Sequence, residues 1–271
     1  MRNGSYFRKS DSKTILRWKC VGCRRSFSQA TATACFGQNK RRVNEPLRIL
    51  LCSGVSLRRA ARILRVHRIT VARKLMFLAQ QARLTHRLFL EGLRNGVIGE
   101  VQFDEMETLE HSKLKPLSIP LLVTRGRKIL AFEVASMPAK GLLAAASVEK
   151  YGWRRDERKG AMRSLLETVK GVVSESALFK SDENPHYPRL LKTVFPQAEH
   201  ETTKGRRGCI VGQGELKKIP WDPLFSLNHT AAMLRANVNR LFRRTWCTTK
   251  RPDRLKDHLA LYVNYHNHVL T

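Results

Sequence analysis

GEVQFDEMET (residues 99–108) and ALFKSDENPHY (residues 177–187) each carry one aspartate at the end of a short apolar run, Asp104 and Asp182. In the first, Val101 and Phe103 alternate with polar residues, which is the period of a strand. A carboxylate just after a buried strand is how many phosphoryl-transfer enzymes hold divalent ions. Fixed oxygens let the cations polarise both the nucleophile and the leaving oxygen. If the two strands are neighbours, both carboxylates emerge at one end of the sheet. Loop aspartates occur in every α/β domain, so an ordinary surface role is the competing reading.

Outward from these runs, the periodicity predicts an α/β mixed sheet over residues 97–271. SIPLLVT (118–124) and KILAFEVA (128–135) flank an RGR turn, a hairpin signal. Residues 156–173 read as one amphipathic helix, with Met162, Leu165, Leu166, Val169, Val172 and Val173 at spacings of three and four. YPRLLKTVF (187–195) suggests a short helix and AEHETT (198–203) a last strand. A glycine-rich basic loop, residues 204–220, carries Arg206 and Arg207. Residues 226–246 read as a long helix with Leu227, Ala231, Leu234, Val238 and Leu241 on its buried face and Arg243 and Arg244 near its end. Residues 253–270 close the chain with another helix.

Residues 44–82 predict three short helices, the second capped by Ser56 and the third beginning near Arg68. Two helices joined by a tight turn, the second with exposed Arg68, Arg73 and Lys74, match a helix-turn-helix. A three-helix bundle with a solvated basic face is the alternative. Residues 83–96 read as a helical linker. Residues 1–36 are basic and hold Cys20 and Cys23 as one CxxC, which supplies two of the four ligands a structural zinc needs. Cys35 is only a loosely spaced third, and Cys52, Cys209 and Cys247 read as small buried residues.

The 271 residues carry 51 Lys/Arg against 22 Asp/Glu, a formal net charge of +29. Residues 1–99 alone hold 22 basic and 3 acidic side chains, so the excess is concentrated there. Such a charge attracts phosphate backbones through counterion release. No apolar run approaches the roughly 18 residues that span a bilayer, and a cytoplasmic protein that meets DNA is expected. Arg206, Arg207, Arg243 and Arg244 are phosphate-contact candidates, though singly they look like any solvated basic surface.

FDEMETLEHSKLKP, SDENPHY and LRANVNRLFRRTWCTTK resemble small bacterial insertion-sequence transposases. In that family a zinc ribbon and a helix-turn-helix precede a retroviral-integrase-like (RNase H-like) core. The resemblance covers nearly the whole chain and implies domains at 1–36 (a partial zinc ribbon), 44–82, 83–96 and 97–271. It implies Asp104 and Asp182 as the first two catalytic acids, Mg²⁺ or Mn²⁺ as cofactor, zinc at Cys20 and Cys23, and double-stranded DNA as partner. It also implies action as a homodimer or higher oligomer. GSYFRKSDSKTILRWKCVGCRRSFS looks like the second half of the ribbon, so the first CxxC would lie upstream of Met1. The third acid, a glutamate in the family, falls on Asn228. Asparagine offers one neutral carbonyl oxygen to a hard cation but no charge. The resemblance thus leaves two expectations open: strand cleavage and strand transfer, or a catalytically silent DNA-binding regulator.

Overall fold

The computed structural model describes residues 1–9, 12–204, 209–210, 213–217, 221–242 and 248–271, with no side-chain description between 205 and 220. The chain opens with three antiparallel strands, β1 (Arg2–Arg8), β2 (Lys13–Lys19) and β3 (Ser26–Ser28). Three helices follow, α1 (Asn44–Leu51), α2 (Leu57–Ile63) and α3 (Arg68–Gly92). Ser56 caps α2 as its sequence suggests, its Oγ accepting the Arg59 N–H at 3.3 Å. The third helix does not stop before residue 83. Its buried Val71, Leu75, Ala79 and Ala82 continue one apolar stripe to Leu90, so the expected linker is the second half of a 25-residue helix.

Next come β4 (Ile98–Glu110), β5 (Ser112–Thr124), β6 (Ile129–Phe132), β7 (Ala135–Ser136), α4 (Leu143–Tyr151), α5 (Arg158–Thr168), β8 (Val173–Asp182), α6 (Tyr187–Val194) and β9 (Glu199–Thr203). A small hairpin of β10 (Cys209–Ile210) and β11 (Gln213–Lys217) leads to α7 (Phe225–Asn237) and α8 (Pro252–Tyr265). The main sheet runs β6-β5-β4-β8-β9, with β7 added to β5. Its β6, β5 and β4 are antiparallel to one another, whereas β4, β8 and β9 are parallel. The fold is mixed α/β. Among the described residues, no helix is long and apolar enough to cross a membrane.

Three elements differ from the sequence reading. Asp104 lies within β4 and not at its end, because the strand continues to Glu110 and turns at His111, whose φ of 45° closes a second long hairpin. The 156–173 helix ends at Thr168; Val172 and Val173 are buried as expected, but Val173 opens β8. The 226–246 helix stops at Asn237, whose carbonyl accepts the Gly54 N–H at 2.7 Å in place of a further turn. Asn239 therefore lies beyond α7 and donates from a buried position to the Gly54 carbonyl.

Alternation along the strands sends side chains to two cores. Val101, Phe103, Leu122 and Phe179 pack with Leu165, Leu166 and Leu191 of α5 and α6. Met106, Leu121, Ile119 and Val123 face Leu227, Leu234, Leu255 and Leu259 of α7 and α8. That second core also contains Leu47, Leu51, Ala60, Val71 and Leu75, so the three early helices share it with the sheet. Each such side chain contributes about 1.5–3 kcal/mol by leaving water. The His258 Nε2 donates to the Leu51 carbonyl at 2.8 Å and joins α8 to α1.

Candidate active site and basic surfaces

The parallel register pairs Gln102 of β4 with Lys180 of β8. Two residues further on each strand come Asp104 and Asp182, the latter the last residue of β8, near enough for the charge of Asp182 to act on Asp104. Both side chains belong to the face of the sheet that carries Gln102 and α7. Both aspartates are half-buried. The Asp104 carboxyl is pushed up to about 6, first by burial and then by the negative charge of Asp182. Its Oδ1 accepts the Glu105 N–H at 2.6 Å and the Tyr187 hydroxyl at 3.2 Å. Tyr187 is buried against Phe103, ring centroids 5.0 Å apart, and burial raises its hydroxyl far above the ordinary range. Nothing in the sequence singled out Tyr187; only the return of α6 over β4 reveals it. Asp182 Oδ1 accepts the Asn184 N–H at 3.2 Å.

Glu105 takes the opposite face, as alternation requires. It is half-buried and accepts from the buried Ser118 hydroxyl at 2.8 Å. Glu107 pairs with Lys140 at 2.8 Å. Lys180, one step below the aspartates, lies between Glu100 and Glu201.

Gln102 docks α7 over this face. Its Nε2 donates to the Pro223 carbonyl at 3.2 Å and its Oε1 accepts the Leu227 N–H at 3.0 Å. Asn228 is exposed on the first turn of α7, and its Nδ2 donates to Asp222 Oδ2 at 2.9 Å. Asp222 Oδ1 accepts the Leu224 N–H at 2.9 Å. The loop before α7 thus folds inward onto β4, and the carboxamide of Asn228 holds its carboxylate. Among the described residues, no three His, Cys, Asp or Glu side chains gather as a metal-holding group.

Two adjacent carboxylates still suit a hard cation, since Mg²⁺ is commonly held by one or two carboxylates plus waters and substrate phosphates. Cys20 and Cys23 share one turn after β2, where the Cys23 N–H and thiol and the Gly22 N–H lower the Cys20 thiol. Cys35 does not join them; its Sγ accepts from Asn44 Nδ2 at 3.5 Å. Cys52 is buried, its thiol pushed up to about 12 by that burial.

Arg68 and Arg73 are exposed. Lys74, expected to be exposed beside them, is 3% accessible. Its ammonium donates to Asn44 Oδ1 and to Gln38 Oε1, tying α3 to α1 and to the segment before it. It is not offered to a phosphate. A cleft of about 500 Å³ at the α2–α3 turn is instead lined by Arg58, Arg62, Arg65, His67 and Arg68. The Arg206, Arg207, Arg243 and Arg244 candidates, and the side chains of Cys209 and Cys247, lie outside the described residues. No family model matches this sequence, and no curated protein matches it either.

Proposed function

We propose that this chain is an insertion-sequence transposase, whose Asp104–Asp182 pair holds Mg²⁺ or Mn²⁺ for cleaving and joining DNA. One observation carries the reading: two aspartates side by side on adjacent parallel strands, in a sheet ordered β6-β5-β4-β8-β9. The resemblance to an RNase H-like core leads one to expect that strand order and those two positions. The net charge of +29 and the arginine-lined α2–α3 turn support DNA as the substrate. A cytoplasmic location and assembly into a dimer on DNA follow from the same reading.

When bound, the cation activates the attacking oxygen and polarises the scissile phosphate. The protein's own groups prepare that site. Tyr187 and the Glu105 N–H donate to Oδ1 of Asp104 and fix the carboxyl plane, and Asp104 and Asp182 would hold the cation. Gln102 sets α7 over the same face. In the hydrolytic step water attacks phosphorus and the 3′ oxygen leaves as a hydroxyl. That hydroxyl then attacks a target phosphodiester, forming a new P–O bond as the target's own 3′ oxygen leaves as a hydroxyl.

Asp104→Asn and Asp182→Asn should each lower Mg²⁺-dependent nicking of element-end DNA by more than about 100-fold, with DNA affinity unchanged. Nicking that persists in both variants overturns the reading.

A second reading has its own observation. Asn228 spends its amide on Asp222, and among the described residues no third carboxylate completes a metal-holding group with the pair. On that reading the chain binds element ends and regulates without cutting. Wild-type protein that binds DNA tightly and never nicks it with either metal selects this alternative.

A further inference from the structure

Between α5 and α6 lies a groove of about 640 Å³ that the reading above does not use. Lys159 and Arg163 stand one turn apart on its α5 wall, and His186, Arg189 and Thr193 follow on the α6 wall. Their exposure is fixed by what lies behind them. Met162, Leu165 and Leu166 on α5, and Tyr187, Leu191 and Val194 on α6, are buried in the core, so the intervening polar residues face outward.

Neighbouring cations are neutralised. Arg158 pairs with Asp156, Arg154 with Glu110, and Lys180 with Glu100 and Glu201. Among the described residues, Lys159, Arg163 and Arg189 have no carboxylate within ion-pair distance. Three uncompensated cations converging on one channel create a positive potential that selects a polyanion.

The groove also has a direction. His186 at the groove wall stands four positions after Asp182, and the next residue, Tyr187, bonds Asp104. Packed helices lie about 8–10 Å apart axis to axis, so the channel between them admits the edge of one sugar–phosphate backbone and not a duplex. Gly160 keeps the α5 wall low; a Cβ built there meets nothing within 4 Å. We infer that this groove binds a single strand of nucleic acid through its phosphates and leads it to the Asp104–Asp182 pair. The inference rests on the proposed DNA-processing reading and deepens it.

The test measures anisotropy of fluorescein-labelled oligothymidylate and of a duplex across a salt series, using the full chain. The triple variant Lys159→Ala/Arg163→Ala/Arg189→Ala should lose roughly 10-fold or more in single-strand affinity. Its slope of log K against log salt should flatten by about 2, as three contacts at about 0.7 each disappear. Gly160→Glu adds a carboxylate on the groove lining at a position where a Cβ meets nothing within 4 Å, and glutamate is the better helix former, so this variant should fold. It should weaken single-strand binding in the same direction. Arg58→Ala/Arg62→Ala/Arg65→Ala at the helical turn should weaken duplex binding and leave the single-strand slope nearly unchanged. Single-strand affinity and slope equal to wild type in both groove variants overturn the assignment while leaving the proposed function standing. A wild type that binds neither nucleic acid with any salt dependence overturns both.

Discussion

Burial and the adjacent Asp182 charge hold the Asp104 carboxyl at about 6, against an ordinary 3.8. A carboxyl raised in the folded state binds its proton more tightly there than in the unfolded chain. Its ionisation therefore costs nothing below about pH 4, accumulates between about 4 and 6, and is complete above, at roughly 3 kcal/mol. Asp104→Asn should stabilise the protein near pH 8 by up to about that amount and bring no gain near pH 4. Urea unfolding at the two pH values checks this, and equal effects at both would show that the carboxylate is not strained. Asn228 makes a second residue-scale case. Asn228→Ala removes the donor to Asp222 and should cost about 1 kcal/mol. Asn228→Glu sets two carboxylates against each other, so restoring an acid there requires Asp222→Asn as well.

At the scale of elements, two glycines respond oppositely to alanine. Gly54 sits between α1 and α2 at a φ of +74°, and a Cβ there would meet Phe242 Cζ at 3.0 Å and the Ala236 carbonyl at 3.2 Å. Its N–H bonds Asn237, the last residue of α7, and its carbonyl accepts from Asn239 just beyond. Gly54→Ala should therefore cost about 1–3 kcal/mol and loosen the early helices from the sheet. Gly160 is inside α5 with open space around it, and Gly160→Ala should add about 0.5–1 kcal/mol. Thermal unfolding of the two variants decides both. A Gly54→Ala protein as stable as wild type would mean that this junction yields without strain.

Across the whole molecule, the early helices and the sheet are held by one shared core and a few buried polar bonds. His258 is the most acid-sensitive of these. It is fully buried, its Nε2 donates to the Leu51 carbonyl, and burial pushes its imidazole down to about 4. Its Nδ1 is buried without a partner among the described residues, so the ring is neutral. A histidine depressed in the folded state contributes its full stability above about pH 6.5. That contribution falls with pH to a floor near 4, a loss of roughly 3 kcal/mol. His258→Gln should flatten the stability profile between those values, and an unchanged acid slope would exclude His258 as its source.

Local chemistry made much of this chain legible before folding was considered. The Ser56 cap, the α2–α3 turn, the RGR hairpin, and the α6 and β9 segments are written in caps, turn residues and periods, which act over a few neighbours. The sequence also marked Asp104 and Asp182 as isolated acids beside apolar runs. Whether they meet depends on β4 and β8 becoming parallel neighbours in one register, which Phe103 and Phe179 settle by sharing a core. The burial of Lys74, the bond from Tyr187 to Asp104 and the clasp of Asp222 by Asn228 arise in the same way. Lys74 and Tyr187 find their partners 30 or more positions away, and the clasp depends on Gln102 of β4 docking the loop before α7. Periodicity carries no information about which surface will cover a side chain. Only the closure of both faces of the sheet decides that.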